Sequence, residues 1–136
     1  MYIETTSTDP KFNLALEQYV FDCMPKDREY FWLWQNANAI VVGKHQNTVE
    51  EINHAYVKEH GIQVVRRLSG GGAVYHDMGN VNFTFIADAG NLETLNLKAF
   101  CTPVIQTLKK IGVQAEVSGR NDISIEGKSF PETLSM

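Results

Sequence analysis

The sequence predicts an α+β domain, in which several short strands meet through turns and two or three helices pack on one side. Two observations lead to this class. Apolar residues recur at helical spacing in the stretches 10–24 and 95–111. Shorter apolar or alternating stretches, bounded by Gly, Pro, Asn and Asp, are typical of strands. The stretch 82–86 shows the alternation most clearly, because Phe83 and Phe85 are separated by polar residues.

Each element is predicted from its own pattern. Asp9-Pro10 is typical of a helix start and Pro25 of a helix end. The apolar face of this first helix is predicted to contain Phe12, Leu16, Tyr19, Val20 and Cys23. The predicted strands cover residues 2–6, 30–34, 39–42, 62–67, 73–75, 81–86, 113–117 and 123–125, and the other predicted helices cover 50–60 and 95–111.

Composition limits the function classes. A chain of 136 residues with 43% hydrophobic and 21% charged residues fits one soluble globular domain. The net charge of −4 argues against bulk nucleic-acid binding, which needs a basic face. The sequence shows neither a membrane-spanning apolar stretch nor a signal peptide. Cys23 and Cys101 lie far apart without metal or redox spacing, so we expect two buried thiols in a reducing cytoplasm.

One stretch stands out chemically: Arg66 and Arg67 are followed by Leu68, Ser69, three glycines and Ala73. Ordering consecutive glycines is entropically costly, so a fold keeps them where the backbone needs unusual angles or close approach. Backbone N–H groups of such a loop can cradle an anion, and arginine adds a bidentate donor. Residues 68–73 are called the glycine loop below. The alternative interpretation is a flexible surface hairpin, since Gly-Gly also marks turns.

Two further polar clusters, 43–47 and 119–122, lie in predicted turns, where sites are often built. Asp122 could bind Mg²⁺, and Asn121 could fix a ribose or phosphate oxygen. Turn chemistry explains Asn121 and Asp122 equally well. A loop histidine such as His76 is more often a hydrogen-bonded structural residue than a catalyst. Ser69 could be a nucleophile only if a base lies beside it.

With these features, the chain resembles the N-terminal part of the lipoate–protein ligase A family. The matching residues, in chain order, are Asn13-Leu14-Ala15 with Glu17, Leu33-Trp34 before Asn36, Val42-Gly43-Lys44-His45-Gln46-Asn47, Arg66-Arg67, Ser69-Gly70-Gly71-Gly72-Ala73-Val74-Tyr75-His76-Asp77, Gly79-Asn80, Asn82-Phe83-Thr84-Phe85 and Ser118-Gly119-Arg120-Asn121-Asp122. The resemblance runs from about residue 10 to Lys128.

The resemblance implies a mixed, largely antiparallel sheet flanked by helices, similar to the catalytic module of biotin ligases and class II synthetases. It implies that ATP and lipoate form lipoyl-adenylate with Mg²⁺, and that the lipoyl group then passes to a lysine. The implied acceptors are the lipoyl domains of 2-oxoacid dehydrogenase complexes or the glycine cleavage H protein. Nucleic acid and membranes are not expected partners.

The same resemblance implies roles for single residues. The implied ATP and adenylate contacts are Arg67, Gly72, Ala73, Val74, Tyr75, Asn121 and Asp122, with Asp122 also facing Mg²⁺. The implied lipoate contacts are Trp34, Arg67, Ser69, Gly71, His76 and Asn80.

The end of the sequence departs from the family pattern, in which a catalytic lysine stands two residues before Ser-Gly. Here Gly127-Lys128-Ser129-Phe130 is followed by no Ser-Gly, and Lys128, the stand-in for the catalytic lysine, comes one residue early. We therefore expect a single partial catalytic domain over 1–136, with a divergent tail from about 127. A sheet edge left uncovered by such a truncation would favour a homo-oligomer.

Three interpretations remain open. The first is an N-terminal ligase fragment, whose own activity the sequence does not decide. The second is a related octanoyl-transfer enzyme with a cysteine nucleophile, against which the predicted helical, apolar-face positions of both cysteines count. The third is a non-catalytic remnant that still binds lipoate or adenylate.

Overall fold

The computed structural model describes residues 1–87, 97–118, 122–125 and 128–130, which fall into two compact units. Described residues up to 87 form the first unit and those from 97 onward the second. None of the described helices is long and apolar enough to cross a membrane. The elements in chain order are α1 (Pro10–Cys23), β1 (Tyr30–Trp34), β2 (Ala39–Val42), α2 (Thr48–Glu51), α3 (His54–Glu59), β3 (Gln63–Arg66), β4 (Val74–His76), β5 (Asn82–Ile86), α4 (Leu97–Lys110), β6 (Ala115–Ser118), β7 (Asp122–Ile125) and β8 (Lys128–Phe130).

The core of the first unit forms between α1 and β1. Alternate side chains of a strand point to opposite faces, and here Tyr30, Trp32 and Trp34 are buried while Phe31 and Leu33 face outward. The three inward side chains form one hydrophobic cluster with Val20 of α1. As predicted, α1 begins beside Asp9, whose side chain accepts a hydrogen bond from the Lys11 N–H.

The predicted apolar face of α1 is wrong in part. Phe12, Tyr19 and Cys23 are exposed, whereas the buried positions of the helix include Asn13 and Val20. Hydrophobic periodicity did not predict the buried position of Asn13, because this polar residue is buried with its hydrogen-bond partners inside the protein. The prediction that Cys23 is buried is therefore also wrong, and that for Cys101 is confirmed.

Two small sheets organise the described part of the first unit. In the first, β1 pairs antiparallel with β5, so that Trp34 lies opposite Asn82. In the second, β2 lies between β3, which is parallel to it, and β4, which is antiparallel. The predicted mixed, largely antiparallel character is confirmed. The polar turn 35–38 thus connects strands of different sheets.

Two predicted elements differ from the structure. Of the predicted strand 2–6, a single bridge from Tyr2 to Phe31 forms. The predicted helix 50–60 is instead two short helices, α2 and α3. Asn53 accepts a hydrogen bond from the Tyr56 N–H and so caps a new helix start inside the predicted one.

The second unit contains α4 and a sheet in the order β6-β7-β8, with both neighbouring pairs antiparallel. Pro103 lies inside α4 rather than in its first turn, one of the two placements that the sequence allowed. The strand β8 begins at Lys128 and pairs with β7, so part of the expected divergent tail continues the sheet.

Candidate functional site

The two consecutive arginines have different tasks. Arg66 Nη1 donates to the carbonyl oxygens of Gly43 and Gln46, each at 2.8 Å, and its Nη2 donates to Thr48 Oγ1 at 2.7 Å. These contacts tie the loop between β2 and α2 to the end of β3. Because successive side chains of an extended chain point to opposite sides, Arg67 is directed away from that loop.

Arg67 is folded into the glycine loop. Its Nε donates to the Gly70 carbonyl oxygen at 3.1 Å and its Nη2 to the Gly72 carbonyl oxygen at 2.7 Å. The side chain is only 7% exposed, and its Nη1 is buried without a hydrogen-bond partner among the described residues. Burial lowers the pKa of the guanidinium, which nevertheless stays protonated near neutrality. No described carboxylate pairs with it, so this buried positive charge is available to an anion.

Gly71 is required by its positive φ, and Gly43 by close packing of the backbone. Gly71 has φ of 100°, and a Cβ there would lie 2.6 Å from Arg67 Nη2. A Cβ on Gly43 would lie 2.0 Å from the Gly71 carbonyl oxygen. This close approach is held by the Lys44 N–H, which donates to the Ser69 carbonyl oxygen at 2.9 Å.

The other two glycines of the loop face open space. Among the described atoms, nothing lies within 4 Å of a Cβ added at Gly70 or Gly72, and neither residue has a positive φ. The fold of the first unit therefore gives no steric reason for glycine at these positions. Close approach of a ligand to the loop would give one. In the same loop Ser69 Oγ is buried without a described hydrogen-bond partner.

His76 ends β4 and is buried. Its ring lies edge-on to Trp34, with the centroids 6.2 Å apart. Its Nδ1 is 3.1 Å from Nδ2 of Asn36, which is itself fully buried. Burial, and secondarily the positive charge of Arg67, lower the pKa of His76, so the ring is neutral at physiological pH.

A second polar chain connects Trp34 to α1. Trp34 Nε1 donates to Thr84 Oγ1 at 2.9 Å, and the Thr84 hydroxyl donates to Glu17 Oε1 at 2.7 Å. Burial raises the pKa of Glu17, and the hydrogen bond from Thr84 works in the opposite direction. These bonds fix the indole plane beside His76.

A cavity of about 310 Å³ lies between α1 and the start of the glycine loop. Leu14 and Leu68 give it apolar wall, and Glu17 and Arg67 give it charged groups. This volume is at the lower end of the range for small-molecule sites. A larger groove of about 730 Å³, between β3 and the two short helices, is lined by none of the predicted site residues.

The first unit places the predicted contacts of the glycine loop and β4 on adjoining segments, with Trp34 beside His76. Within β4, Tyr75 points outward and is 52% exposed, so any ligand contact at this position would involve its backbone or an outer surface. The Asn80 amide donates to Asn82 Oδ1 at 3.1 Å. Asp122 begins β7 and Lys128 begins β8, in the second unit, while Asn121 lies outside the described residues. The ligand roles of all these residues stay predictions.

The sequence analysis gave no role to four polar residues that the structure places around Trp34 and His76. They are Asn13, Glu17, Asn36 and Thr84. All four appear among the residues that carry the family resemblance, which is the signal that could have identified them. Polar residues on a helix or in a turn are usually solvated, so their burial was not expected.

Comparison with known proteins identifies the family of the chain. The family model described as "Lipoyl protein ligase A/B catalytic domain" matches residues 9–130. The chain is 52% identical over 122 residues to lipoate-protein ligase LplJ of Bacillus subtilis, covering 90% of this chain and 37% of that protein. The chain thus spans little more than a third of that relative's length.

Solved structures give the same result. LipL1 of P. falciparum, in complex with lipoate, aligns with a TM-score of 0.79 and 31% identity, covering 95% of this chain and 41% of that one. The bi-partite lipoate protein ligase of Thermoplasma acidophilum, solved with its E2 lipoyl domain, aligns with a TM-score of 0.81 and 26% identity, covering 94% and 51%. From its sequence and its fold, the chain belongs to the lipoyl protein ligase A/B catalytic domain family.

Proposed function

We propose that this chain carries the ligand-binding part of an ATP-dependent lipoate–protein ligase. In the first half-reaction a lipoate carboxylate oxygen attacks the α-phosphorus of ATP. The new O–P bond gives lipoyl-adenylate, and the bond to pyrophosphate breaks. In the second, a lysine ε-amine of an acceptor domain attacks the acyl carbon, a C–N bond forms, AMP leaves and the amine loses a proton.

The observation that carries this proposal is Arg67, a buried guanidinium with one unpartnered nitrogen and no described counter-carboxylate. The first half-reaction brings two negatively charged groups together. A fixed cation in a site shielded from water stabilises the charge that develops there, because it needs no reorganisation. The open space beside Gly70 and Gly72 would let an acyl-phosphate group approach the loop backbone.

The cavity between α1 and the glycine loop suits an acid with an apolar tail. Leu14 and Leu68 would contact the tail, and Arg67 lies where a carboxylate could be held. The P. falciparum relative, which was solved with lipoate, supports this choice of ligand. Trp34, Ser69, Gly71, His76 and Asn80 do not line this cavity, and they stay proposed lipoate contacts on the family resemblance alone.

The nucleotide contacts of the proposal rest on the family resemblance. Gly72, Ala73, Val74 and Tyr75 would contact the adenylate, as would Asn121 and Asp122. No described group of three or more His, Cys, Asp or Glu side chains could hold a metal by itself. Since ATP-bound Mg²⁺ is held largely by phosphates and one or two carboxylates, Asp122 alone fits this role chemically. Lys128 stays the proposed catalytic lysine.

We propose a lipoyl-acceptor domain as the protein partner, from a 2-oxoacid dehydrogenase complex or the glycine cleavage system. The T. acidophilum ligase, solved with its E2 lipoyl domain, supports an acceptor of this type. Neither Cys23 nor Cys101 forms a disulfide, which agrees with the cytoplasm as the proposed location. Sedimentation at micromolar concentration would test the expected self-association.

The acyltransferase alternative needs a cysteine nucleophile near the acyl group. Cys101 is buried, and Cys23 is the last residue of α1. Asn13 is the α1 residue that is linked to His76 through Asn36. Cys23 is ten positions further along the helix, which corresponds to about 15 Å along its axis. We therefore favour the ligase over the acyltransferase. A binding remnant would share every contact described above and differ only in turnover.

Calorimetric titration with a non-hydrolysable lipoyl-adenylate analogue tests the proposal without requiring turnover. We expect the chain to bind it, and Arg67→Ala to lose roughly 2–5 kcal/mol of affinity. Arg28→Ala is the matched control, because Arg28 is exposed and pairs with its neighbour Asp27. Absence of binding by the unmodified chain, or equal affinities for the Arg67 and Arg28 variants, would contradict the proposal.

A further inference from the structure

A buried chain of three polar side chains leads from α1 to the site. Asn13 Nδ2 lies 3.0 Å from Asn36 Oδ1, and Asn36 Nδ2 lies 3.1 Å from His76 Nδ1. All three residues are at most 5% exposed. A buried chain of this kind has restricted choices of donor and acceptor, because each group must meet a complementary one.

The orientation of the Asn13 amide sets the donor and acceptor roles in the hydrogen bonds from Asn13 to His76. Its Nδ2 also lies 3.1 Å from the Ser7 carbonyl oxygen and 2.8 Å from the Gln35 carbonyl oxygen. Backbone carbonyls only accept hydrogen bonds, so the group facing them must be the NH₂ end of the amide. The Asn13 Oδ1 atom is buried without a described partner, so no described donor favours the reversed orientation of this amide.

Asn36 is oriented in turn. The two Asn13 N–H hydrogens are shared among three oxygens, those of Ser7, Gln35 and Asn36. The Asn36 atom that lies 3.0 Å from this nitrogen must be the acceptor Oδ1, because a second NH₂ group there would find no lone pair and would repel the first. The Asn36 NH₂ group is then the one that faces His76, and it can only donate. His76 Nδ1 must therefore accept, which requires that it carry no proton. In a neutral imidazole the proton then resides on Nε2.

We propose that Asn13 and Asn36 are positioning residues that hold His76 as the neutral Nε2–H tautomer. His76 then offers the site a hydrogen-bond donor and no proton acceptor. No described side chain is hydrogen-bonded to Nε2. Resting on the proposed function, we assign this N–H to an acyl or phosphate oxygen of the lipoyl-adenylate. The chemistry that it supports is stabilisation of a negative oxygen rather than proton abstraction.

The charged groups near His76 are consistent with this assignment. Arg67 lies close enough for its positive charge to lower the pKa of His76, which disfavours the imidazolium. Of the nearby carboxylates, Glu17 is linked to Trp34 through Thr84, and Asp77 accepts from the Gly79 N–H. Neither is hydrogen-bonded to the ring. Protonation of Nδ1 would set an N–H group against the Asn36 NH₂ group.

The substitution Asn36→Asp reverses the direction of the hydrogen bond between residue 36 and His76 at nearly constant side-chain volume. A carboxylate can still accept from Asn13, but its second oxygen now accepts from Nδ1 of His76. We expect the proton to move to Nδ1 and the His76 pKa to rise by about 1–3 units, the usual effect of an adjacent opposite charge. Gln35→Glu is the matched control, since it adds the same charge one residue earlier, where the side chain contacts the Met78 carbonyl instead.

Nitrogen-15 NMR of the four histidines of the intact chain, with His76 assigned from His76→Gln, measures both quantities. We expect the unmodified chain and Gln35→Glu to show the Nε2–H tautomer, and Asn36→Asp to show a protonated Nδ1. An Nδ1–H tautomer, or an equal mixture, in the unmodified chain would overturn the proposal even if the Asn36 variant failed to fold. An unchanged pKa and tautomer in a folded Asn36→Asp would overturn it too.

Affinity for the lipoyl-adenylate analogue between pH 6 and 9 supplies a second test. In the unmodified chain the donor persists across this range, so affinity should be flat. In Asn36→Asp the Nε2 proton is lost above the raised His76 pKa, so affinity should fall there by about tenfold, the scale of one hydrogen bond. A purely structural role would lower affinity equally at every pH and would contradict the assignment of the donor. If no variant binds the analogue, the proposed function fails, and the NMR result still decides the tautomer.

Discussion

Replacing Gly43 by alanine should destabilise the first unit, although the sequence places this residue in a polar loop. The added Cβ would lie 2.0 Å from the Gly71 carbonyl oxygen and 3.1 Å from the Gly71 carbonyl carbon. Real Cβ atoms essentially never approach within 3.0 Å, so the two backbone segments would have to separate. Neither contact involves a flexible side chain that could simply rotate away.

The size of the effect follows from two contributions. Overpacking of this kind costs about 1–3 kcal/mol. Separation of the segments would also weaken the hydrogen bond from the Lys44 N–H to the Ser69 carbonyl oxygen, which adds about 0.5–1.5 kcal/mol. We therefore expect a loss of about 2–4 kcal/mol in the free energy of unfolding. At a urea m-value of about 2 kcal/mol/M, the midpoint would fall by about 1–2 M.

Tryptophan fluorescence in urea is the appropriate assay, because both tryptophans of the chain, Trp32 and Trp34, lie in β1 and so report on the first unit. Gly70→Ala is the matched control. Nothing described lies within 4 Å of its Cβ and its φ is not positive, so its stability should change by less than about 0.5 kcal/mol. Equal urea midpoints for the two variants would refute the packing argument. Gly70→Ala should instead weaken binding of the adenylate analogue, if the ligand approaches the loop as proposed.

Three further outcomes are expected. Burial raises the pKa of Glu17, so its contribution to stability is full below the unfolded pKa near 4.5 and is lost as pH rises through the folded pKa. Glu17→Gln keeps an acceptor for Thr84 and cannot ionise. The free energy of unfolding of this variant, minus that of the unmodified chain, should therefore increase from pH 4 to pH 8. A difference that does not change with pH would contradict this. Arg66→Ala should lose about 1–3 kcal/mol in the same assay, because it removes the contacts that anchor the loop after β2. A chromogenic disulfide should modify Cys23 rapidly and Cys101 only on unfolding, and two equally fast thiols would argue against the described burial.

The order of the elements could be predicted from the sequence because it depends on local patterns. Asp9-Pro10 identifies the start of α1, a dense aromatic stretch identifies β1, and alternation identifies β5. The anion-binding hypothesis for the glycine loop was equally local, since it needed only an arginine beside consecutive glycines. The family resemblance added the ligand class, which no spacing of residues specifies.

The family resemblance had singled out Arg67, and the tertiary structure shows how the surroundings of the two arginines and of the glycines differ. Arg66 and Arg67 are chemically identical neighbours, yet Arg66 anchors the loop after β2, whereas Arg67 is buried in the glycine loop with one nitrogen that has no described partner. Gly71 is required by its φ, whereas Gly70 faces open space. For Arg66 and Gly43 the deciding contacts join segments that are distant in sequence, whereas Arg67 is hydrogen-bonded within its own loop.

The burial of polar residues was the feature least accessible to sequence reasoning. Asn13 lies on a helix whose apolar residues predict another buried face, and Asn36 occupies a turn that reads as solvated. Their partners lie 23 and 40 residues away along the chain. Hydrophobic periodicity records whether a side chain prefers to leave water, and it carries no information about a distant donor or acceptor. The sequence by itself therefore determined most of the elements and the anion-binding hypothesis for the glycine loop, whereas folding determined the hydrogen-bond partner of His76.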